Sequence, residues 1–286
     1  MVICEGGKLF QITDDKVIKL IVCFMPKISV LIGIYNCAST LPEALDSLYA
    51  QTYKDFKIIL CEDGSSDDTY AVAKAYAEKH DNIVLVRNEK NMGLNYTLNR
   101  CIEYADTEYC ARMDGDDISI PMRFEKEINF LDSHPEFAIV SAPMIYFDEE
   151  GDFRVGSAVE YPDKNNFVKG TPICHAPCMV RTEALKAVGG YSDDLRLRRV
   201  EDYHLWFKMY AAGYKAYNLQ EPLYKMRDDR NAYIRRNWAN RRNEMYVKYV
   251  GFKMLGISWY KWIYILRPLI LFLLPSFIYN YLHRKR

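Results

Sequence analysis

Tyr109-Cys110-Ala111-Arg112-Met113-Asp114-Gly115-Asp116-Asp117 is the stretch on which the fold turns. Residues 109–113 form an apolar run that predicts a buried strand, and three carboxylates follow where the strand would leave its sheet. In open α/β sheets, ligands bind outside the carboxyl ends of strands. Like charges crowded at such a place repel one another unless a cation neutralises them. Mg²⁺ or Mn²⁺ matches that need, because these hard ions take oxygen ligands and bridge acids to phosphates. A solvated acidic turn is the other reading of the same spacing.

Working outward toward the N-terminus, strands and helices alternate. Residues 28–34, Ile-Ser-Val-Leu-Ile-Gly-Ile, read as a parallel strand. Thr40-Leu41-Pro42-Glu43 predicts a capping box opening a helix whose apolar face is Leu41, Ala44, Leu45 and Leu48. Strands over 56–61 and 83–86 and helices over 67–79 and 94–105 complete the series before 109–113. That alternation with short links predicts right-handed βαβ units in a doubly wound, mostly parallel sheet flanked by helices, an α/β fold. Beyond Pro121 the spacing predicts a helix over 122–133. Strands over 137–147 and 153–161 follow, joined as a hairpin across 148–152. Helices are expected over 183–188 and 202–212, the latter closed by Gly213, and a long basic helix over 230–250.

The net charge is zero, but its distribution is uneven: residues 225–286 carry 14 Lys/Arg against 3 Asp/Glu, and the rest of the chain is correspondingly acidic. A basic, aromatic tail suits an anionic surface, with membrane and nucleic acid as competing partners. The eight cysteines are scattered without a CxxC pair, which points to reduced thiols in a cytosolic compartment. Cys174 and Cys178 flank His175 but lack a second ligand pair for zinc. The apolar stretch 17–24 is too short to span a membrane and contains Lys19, so residues 1–24 read as an upstream extension of a chain whose functional start is Met25. Over 257–282, eight aromatic residues and an uncharged stretch broken by Pro275 predict an interfacial segment rather than a spanning helix, with His283-Arg284-Lys285-Arg286 on the anionic side. Packing of this segment on the protein or in a dimer is the alternative.

Two further acidic stretches carry chemistry. Glu62-Asp63-Gly64-Ser65-Ser66 ends the second strand, where a carboxylate can accept from a base N–H or a ribose hydroxyl and Gly64 permits a tight turn. Glu201-Asp202 stands at a helix start, a place the helix dipole favours for acids in any case. Asn91-Met92-Gly93 is a loop that could face the same crevice.

In order and spacing, "ISVLIGIYN" at 28–36, "EDGSSDDT" at 62–69, "NMGLNYTLN" at 91–99, "MDGDD" at 113–117 and "VEDYHLW" at 200–206 resemble the family 2 glycosyltransferases over about residues 27–227. The resemblance implies a single GT-A type nucleotide-binding domain over 25–227, followed by a helical tail over 228–286. It implies transfer of a sugar from a nucleotide donor, a UDP-sugar being favoured, with inversion and with Mn²⁺ or Mg²⁺. Tyr35 then faces the nucleobase, Asp63 hydrogen-bonds it, and Gly33, Asn91 and Gly93 line the donor site. Asp116 is the direct metal ligand and Asp114 holds ribose or metal-bound water, with Asp117 behind them. Asp202 is the general base, unless Glu201 takes that role and Asp202 is structural. The chain departs from the family in Gly33-Ile34, Glu62 and His204, where Pro-Thr and acids are common.

The implied acceptor is a glycan or lipid-linked hydroxyl in cell-surface polysaccharide synthesis. The enzyme is expected on the cytoplasmic face of the membrane, docked through 257–286, without nucleic acid, and a homo-oligomer is left open. Arg227 and Arg230 are candidates for the diphosphate, with solvent or membrane as their other use. His204 reads as a packing or acceptor-side residue, and His175 has no assigned role. The rivals are a nucleotide-sugar-binding protein without transfer activity, a basic nucleic-acid binder, a calcium-binding module and a sugar-nucleotide pyrophosphorylase. Ile118 stands where an EF-hand loop wants an acid, which disfavours the calcium module. Tyr35-Asn36-Cys37-Ala38 replaces the Gly-rich basic loop of a pyrophosphorylase.

Overall fold

The structure, a computed structural model, describes residues 26–228 and 237–273, and the backbone of an N-terminal hairpin of β1 (Val2–Glu5) and β2 (Lys8–Gln11). The expected start at Met25, Arg230 and the His283–Arg286 cluster lie outside the described residues.

Four strands in parallel form the frame of the main sheet: β3 (Ile28–Ile34), β4 (Phe56–Glu62), β5 (Ile83–Arg87) and β6 (Tyr109–Arg112). The full spatial order is β5-β4-β3-β6-β11-β8-β12, with β8 (Ile139–Ser141), β11 (Met179–Arg181) and β12 (Ala216–Asn218) added beyond β6. Of the seven, only β11 runs antiparallel to its neighbours. Sequential strands step outward from β3 to β5 and then return to the other side of β3 at β6. The reversal opens a crevice at the carboxyl ends of β3 and β6, which deliver Tyr35 and the acidic turn.

Alternation along β3 supplies both cores. Ile28, Val30, Ile32 and Ile34 pack with Leu41, Ala44, Leu45 and Leu48 of α1 (Leu41–Tyr49) and with Phe124, Ile128 and Leu131 of α4 (Arg123–Ser133). Leu31 joins the opposite core with Leu98, Cys101 and Ile102 of α3 (Leu94–Glu103) and with α5 (Thr182–Ala187), α6 (Glu201–Ala211) and α7 (Trp238–Met254). Helix α2 (Thr69–Lys79) covers β4 and β5. Each fully buried aliphatic side chain in these layers contributes about 1.5–3 kcal/mol.

Three sequence expectations are corrected. Thr40 makes no capping bond; its backbone is already helical, and its hydroxyl instead donates toward Cys37 O and Gly115 O. The expected strand over 137–147 is two strands in different sheets. Pro143, which has no N–H to donate, follows β8, and the chain then enters β9 (Met144–Asp148) of a second sheet. The expected strand over 153–161 ends early: β10 (Gly151–Val155) hairpins with β9, and 156–161 is irregular. The second sheet, ordered β10-β9-β13-β7, is completed by β7 (Ile118–Ser119) and β13 (Tyr224–Arg227). The acidic turn 114–117 is therefore the junction between β6 of one sheet and β7 of the other.

The chain from Trp259 to Leu266 forms 3₁₀ turns and continues as α8 (Arg267–Leu273) against α7. Trp262 turns inward and donates to Ile257 O at 3.0 Å, whereas Trp259 is 85% and Leu273 70% exposed. Among the described residues, no helix is long and apolar enough to cross a membrane.

Candidate active site

The side of the crevice built from β3 and β4 is two interlocked loops. Asn36, in the left-handed region at φ 48°, donates its N–H to Ser65 Oγ at 3.0 Å, and its side-chain oxygen accepts from Ser66 N at 2.9 Å. Asp67 accepts from Ala38 N at 3.1 Å and from Thr69 N at 3.0 Å, so it ties the loops together and starts α2. Tyr35 projects from this knot with 47% of its surface exposed, leaving a ring face for stacking.

Asp63 is buried and occupied. Its Oδ1 accepts from Asn88 Nδ2 at 2.7 Å and Met92 N at 2.8 Å, and its Oδ2 accepts from Gly93 N at 2.9 Å. It therefore pins the 91–93 loop in place. Gly64, at φ +68°, has no room for a side chain: a Cβ would lie 2.6 Å from the Lys90 backbone. Gly33 is explained by packing, since a Cβ there would meet Thr97 at 3.0 Å and Leu94 at 3.2 Å on α3.

On the other side, Arg112 is a residue that sequence reading missed, because it is embedded in the apolar run. It is 3% exposed and donates through Nη2 to Asp114 Oδ1 at 2.5 Å. Its Nε and Nη1 are buried without a partner among the described residues. Beneath it, Arg123 is fully buried, pairs with Glu127 at 3.2 Å, and donates to Arg112 O at 2.9 Å. Asp116 is at the exposed rim; loss of water in the crevice and then the Asp114 charge raise its carboxyl above the usual range, against Arg112 and Arg227. Asp117 is buried and pushed up to about 8 by burial and by both neighbouring acids, and it accepts from Arg227 N at 2.8 Å. Arg227 also donates to Asp116 O at 3.0 Å and lies 4.5 Å over the Phe147 ring, so it braces the acidic turn.

The second acid group opens α6. Asp202 is raised to about 6 by burial and then by the charge of Glu201, with Arg112 acting in the opposite direction. Glu201 is raised by burial, and its Oε2 has no partner among the described residues. The single guanidinium of Arg112 thus acts electrostatically on Asp116, Glu201 and Asp202 while bonding Asp114.

A cavity of about 620 Å³ collects six of the expected residues: Gly33, Tyr35, Asp63, Asn91, Gly93 and Glu201. Asp114, Asp116 and Asp202 are not on its walls, and neither is Arg112, whose charge acts on Glu201 of the lining. Facing the cavity are Arg198, Arg199 and Arg242, which no sequence motif marked. Arg199 is held at φ 68° just before Val200-Glu201, a conformation costing a non-glycine residue about 1–2 kcal/mol. His204 is buried and neutral, lowered to about 4 by burial and the Lys208 charge, and lines neither this cavity nor the acid groups. His175 is also held neutral by burial and by Arg112, and meets Tyr191 OH at 2.7 Å.

Among the described residues, no three His, Cys, Asp or Glu side chains converge as a metal cage. Two carboxylates on an open rim, one braced by Arg112, fit Mg²⁺ or Mn²⁺, which use one or two acids and leave other positions to water and substrate oxygens.

Comparison with known proteins agrees with this geometry. The profile of the family described as Glycosyl transferase family 2 matches residues 29–189. The chain is 40% identical over 262 residues to EpsE of Bacillus subtilis, named as a glycosyltransferase, covering 91% of this chain and 94% of that one. It is 29% identical over 276 residues to a UDP-Gal:α-D-GlcNAc-diphosphoundecaprenol β-1,3-galactosyltransferase of Escherichia coli, covering 91% and 96%. The fold is that of S. aureus TarS 1–349, solved in complex with UDP-GlcNAc: the TM-score is 0.66 at 19% identity, over 86% of this chain and 71% of that one.

Proposed function

The chain belongs to glycosyl transferase family 2, and on that premise we propose that it moves a hexosyl group from a UDP-sugar to a hydroxyl of a lipid-linked or glycan acceptor, with inversion, in cell-surface polysaccharide synthesis. Membership makes it a glycosyltransferase rather than a calcium module, a pyrophosphorylase or a nucleic-acid binder. The domain reading is a catalytic unit over 25–227 followed by a membrane-docking tail on the cytoplasmic face. The acceptor class follows from the E. coli relative's substrate and from the exposed apolar surface at 259–273.

The observation that carries the mechanism is the pair of acid groups on either side of Arg112. Inversion requires the acceptor oxygen to attack the anomeric carbon opposite the diphosphate. As the new C–O bond forms, the bond to the diphosphate breaks, the leaving group keeps the electron pair, and the hydroxyl proton goes to Asp202. A carboxylate raised to about 6 is mostly ionised at neutral pH yet more basic than an ordinary aspartate, which suits a general base. Asp116, with Asp114, would hold the divalent cation, whose chemistry is to neutralise charge on the leaving diphosphate. Arg112 fixes Asp114 and favours the ionised form of Asp202. Tyr35 stacks on the base, and Asp63 sets the 91–93 loop against it.

The test uses the purified full chain with Mn²⁺, UDP-hexoses and a GlcNAc-diphospholipid acceptor. Asp202→Asn should reduce transfer by at least about a hundredfold and leave UDP binding intact. Asp116→Asn should abolish transfer and also weaken Mn²⁺-dependent UDP binding. Full activity in both variants would refute the assignment.

A further inference from the structure

A second cavity, of about 750 Å³, lies between the 157–174 segment and the 259–267 turns. Lys169, Lys261 and Arg267 line it with Tyr260 and Tyr264, and among the described residues no Asp or Glu does. Lys261 Nζ donates to the neutral Asn165 Oδ1 at 2.6 Å, and Arg267 Nη1 donates to Lys169 O. Asp163, the acid that feels Lys261, is turned to the amides of Asn165 and Asn166. Behind the wall, Lys248 is fully buried and donates over a long 3.4 Å to the carbonyl of Val168, a residue of the same cavity. Burial lowers this ammonium to about 8; Glu244 opposes the shift and Arg267 adds to it. Positive charge is thus concentrated on one small concave surface, and an anion would relieve it.

The position is as informative as the charge. Val168 and Cys174 line this cavity, and Tyr203, beside Asp202 on α6, donates to Phe167 O next to Val168, so the cavity adjoins the helix of the proposed base, whose charge joins burial in pushing the Cys174 thiol up to about 11. At its other end the 259–273 segment turns Trp259, Ile263, Ile270 and Leu273 outward. A ligand here would present one end to Asp202, a phosphate group to the cations and an apolar chain to an apolar face.

We propose that this cavity binds the diphosphate of an isoprenoid-diphosphate-linked acceptor, its sugar toward Asp202 and its isoprenoid along the exposed face of 259–273. The inference rests on the reading that the acceptor is lipid-linked. The nucleotide cavity is a separate space with Tyr35 and Asp63 on its walls, so the two diphosphates occupy different basic surfaces.

The probe is farnesyl diphosphate, titrated calorimetrically into the full chain in EDTA, with inorganic pyrophosphate and farnesol as partial ligands and UDP plus Mn²⁺ as the donor control. Wild type should bind farnesyl diphosphate more tightly than pyrophosphate and should not bind farnesol measurably. Lys261→Gln and Arg267→Gln should each weaken farnesyl diphosphate about tenfold, the size expected for one charge-assisted contact, and leave UDP affinity unchanged. Arg267 also braces Lys169 O, so Lys261→Gln is the decisive variant should Arg267→Gln fail to fold. Unaltered farnesyl diphosphate affinity in Lys261→Gln, or its displacement by UDP, would overturn the proposal. Absence of farnesyl diphosphate binding while UDP still binds sinks this site and spares the donor reading. Absence of UDP binding sinks the donor reading, and the farnesyl diphosphate series still decides the cavity.

Discussion

Replacing Glu201 with glutamine separates the two candidate bases. Gln preserves shape, and Glu201 Oε2 has no partner among the described residues to lose. Its charge is the second contribution to the rise of Asp202, after burial. From 3.8 to about 6 is a rise of roughly two units, or ~3 kcal/mol. Glu201 is a smaller contribution than burial, and backbone N–H groups and Arg112 oppose both, so the variant should lower Asp202 by on the order of one unit. The acid limb of kcat/KM then moves toward lower pH. At pH 5 the activity relative to plateau rises from about one tenth to about one half. The assay is kcat/KM from pH 4.5 to 8.5 at saturating Mn²⁺, with UDP affinity measured separately. Folding gives a second readout. A carboxyl raised in the folded state binds its proton more tightly there, so stability falls as pH rises from about 4 to about 6. Glu201→Gln should recover part of that loss, on the order of 1 kcal/mol in urea at pH 7. Loss of transfer with UDP binding intact would make Glu201 the base; an acid limb that stays put or moves upward would refute the electrostatic argument.

Other variants probe neighbouring features. Asp202→Asn should reduce kcat by about 10²–10⁴-fold and, by removing a buried charge, stabilise the fold by up to ~3 kcal/mol at pH 7, read by urea unfolding. Arg112→Met should move the acid limb upward, opposite to Glu201→Gln. It should change stability by no more than about 2 kcal/mol, because two unpaired buried donors leave along with the Asp114 bond; an unmoved limb would remove Arg112 from the mechanism. Gly64→Ala should cost about 1–2 kcal/mol for the left-handed backbone alone, with more from the Lys90 contact, and should weaken UDP binding by shifting the 91–93 loop; a wild-type Tm would contradict the steric reading.

The alternating half was legible because its signals were long. Residues 28–34 and 56–62 are mostly apolar, with only Ser29, Lys57 and Glu62 breaking the runs, and α1 and α3 have clear apolar faces. The short strands were not legible: β7 and β13 of the second sheet and β11 and β12 of the main sheet hold two to four residues each, too few for a period to show. The sheet change at Pro143 was hidden because the residues on both sides are apolar and β-forming. Within the site, acids announced themselves through spacing, but their cations did not. Arg112 looked like a polar interruption of a strand, and Arg198, Arg199 and Arg242 reach the cavity only through tertiary packing. The bonds of Asp63 were hidden for a related reason: no spacing rule says that a strand-end carboxylate will be held by the main chain of a loop almost thirty residues away.

That commitment of Asp63 bears on how donor preference could change during evolution. With three donors already converging on it, the carboxylate acts as a mould for the 91–93 loop, and the replaceable part of the surface proposed to meet the base is the side chain at 91. Natural variation there could retune which nucleotide is accepted while the acid, Gly64 and Gly93 stay fixed. Two properties often in conflict, a rigid floor and an adjustable wall, are in this way assigned to different residues of one short loop.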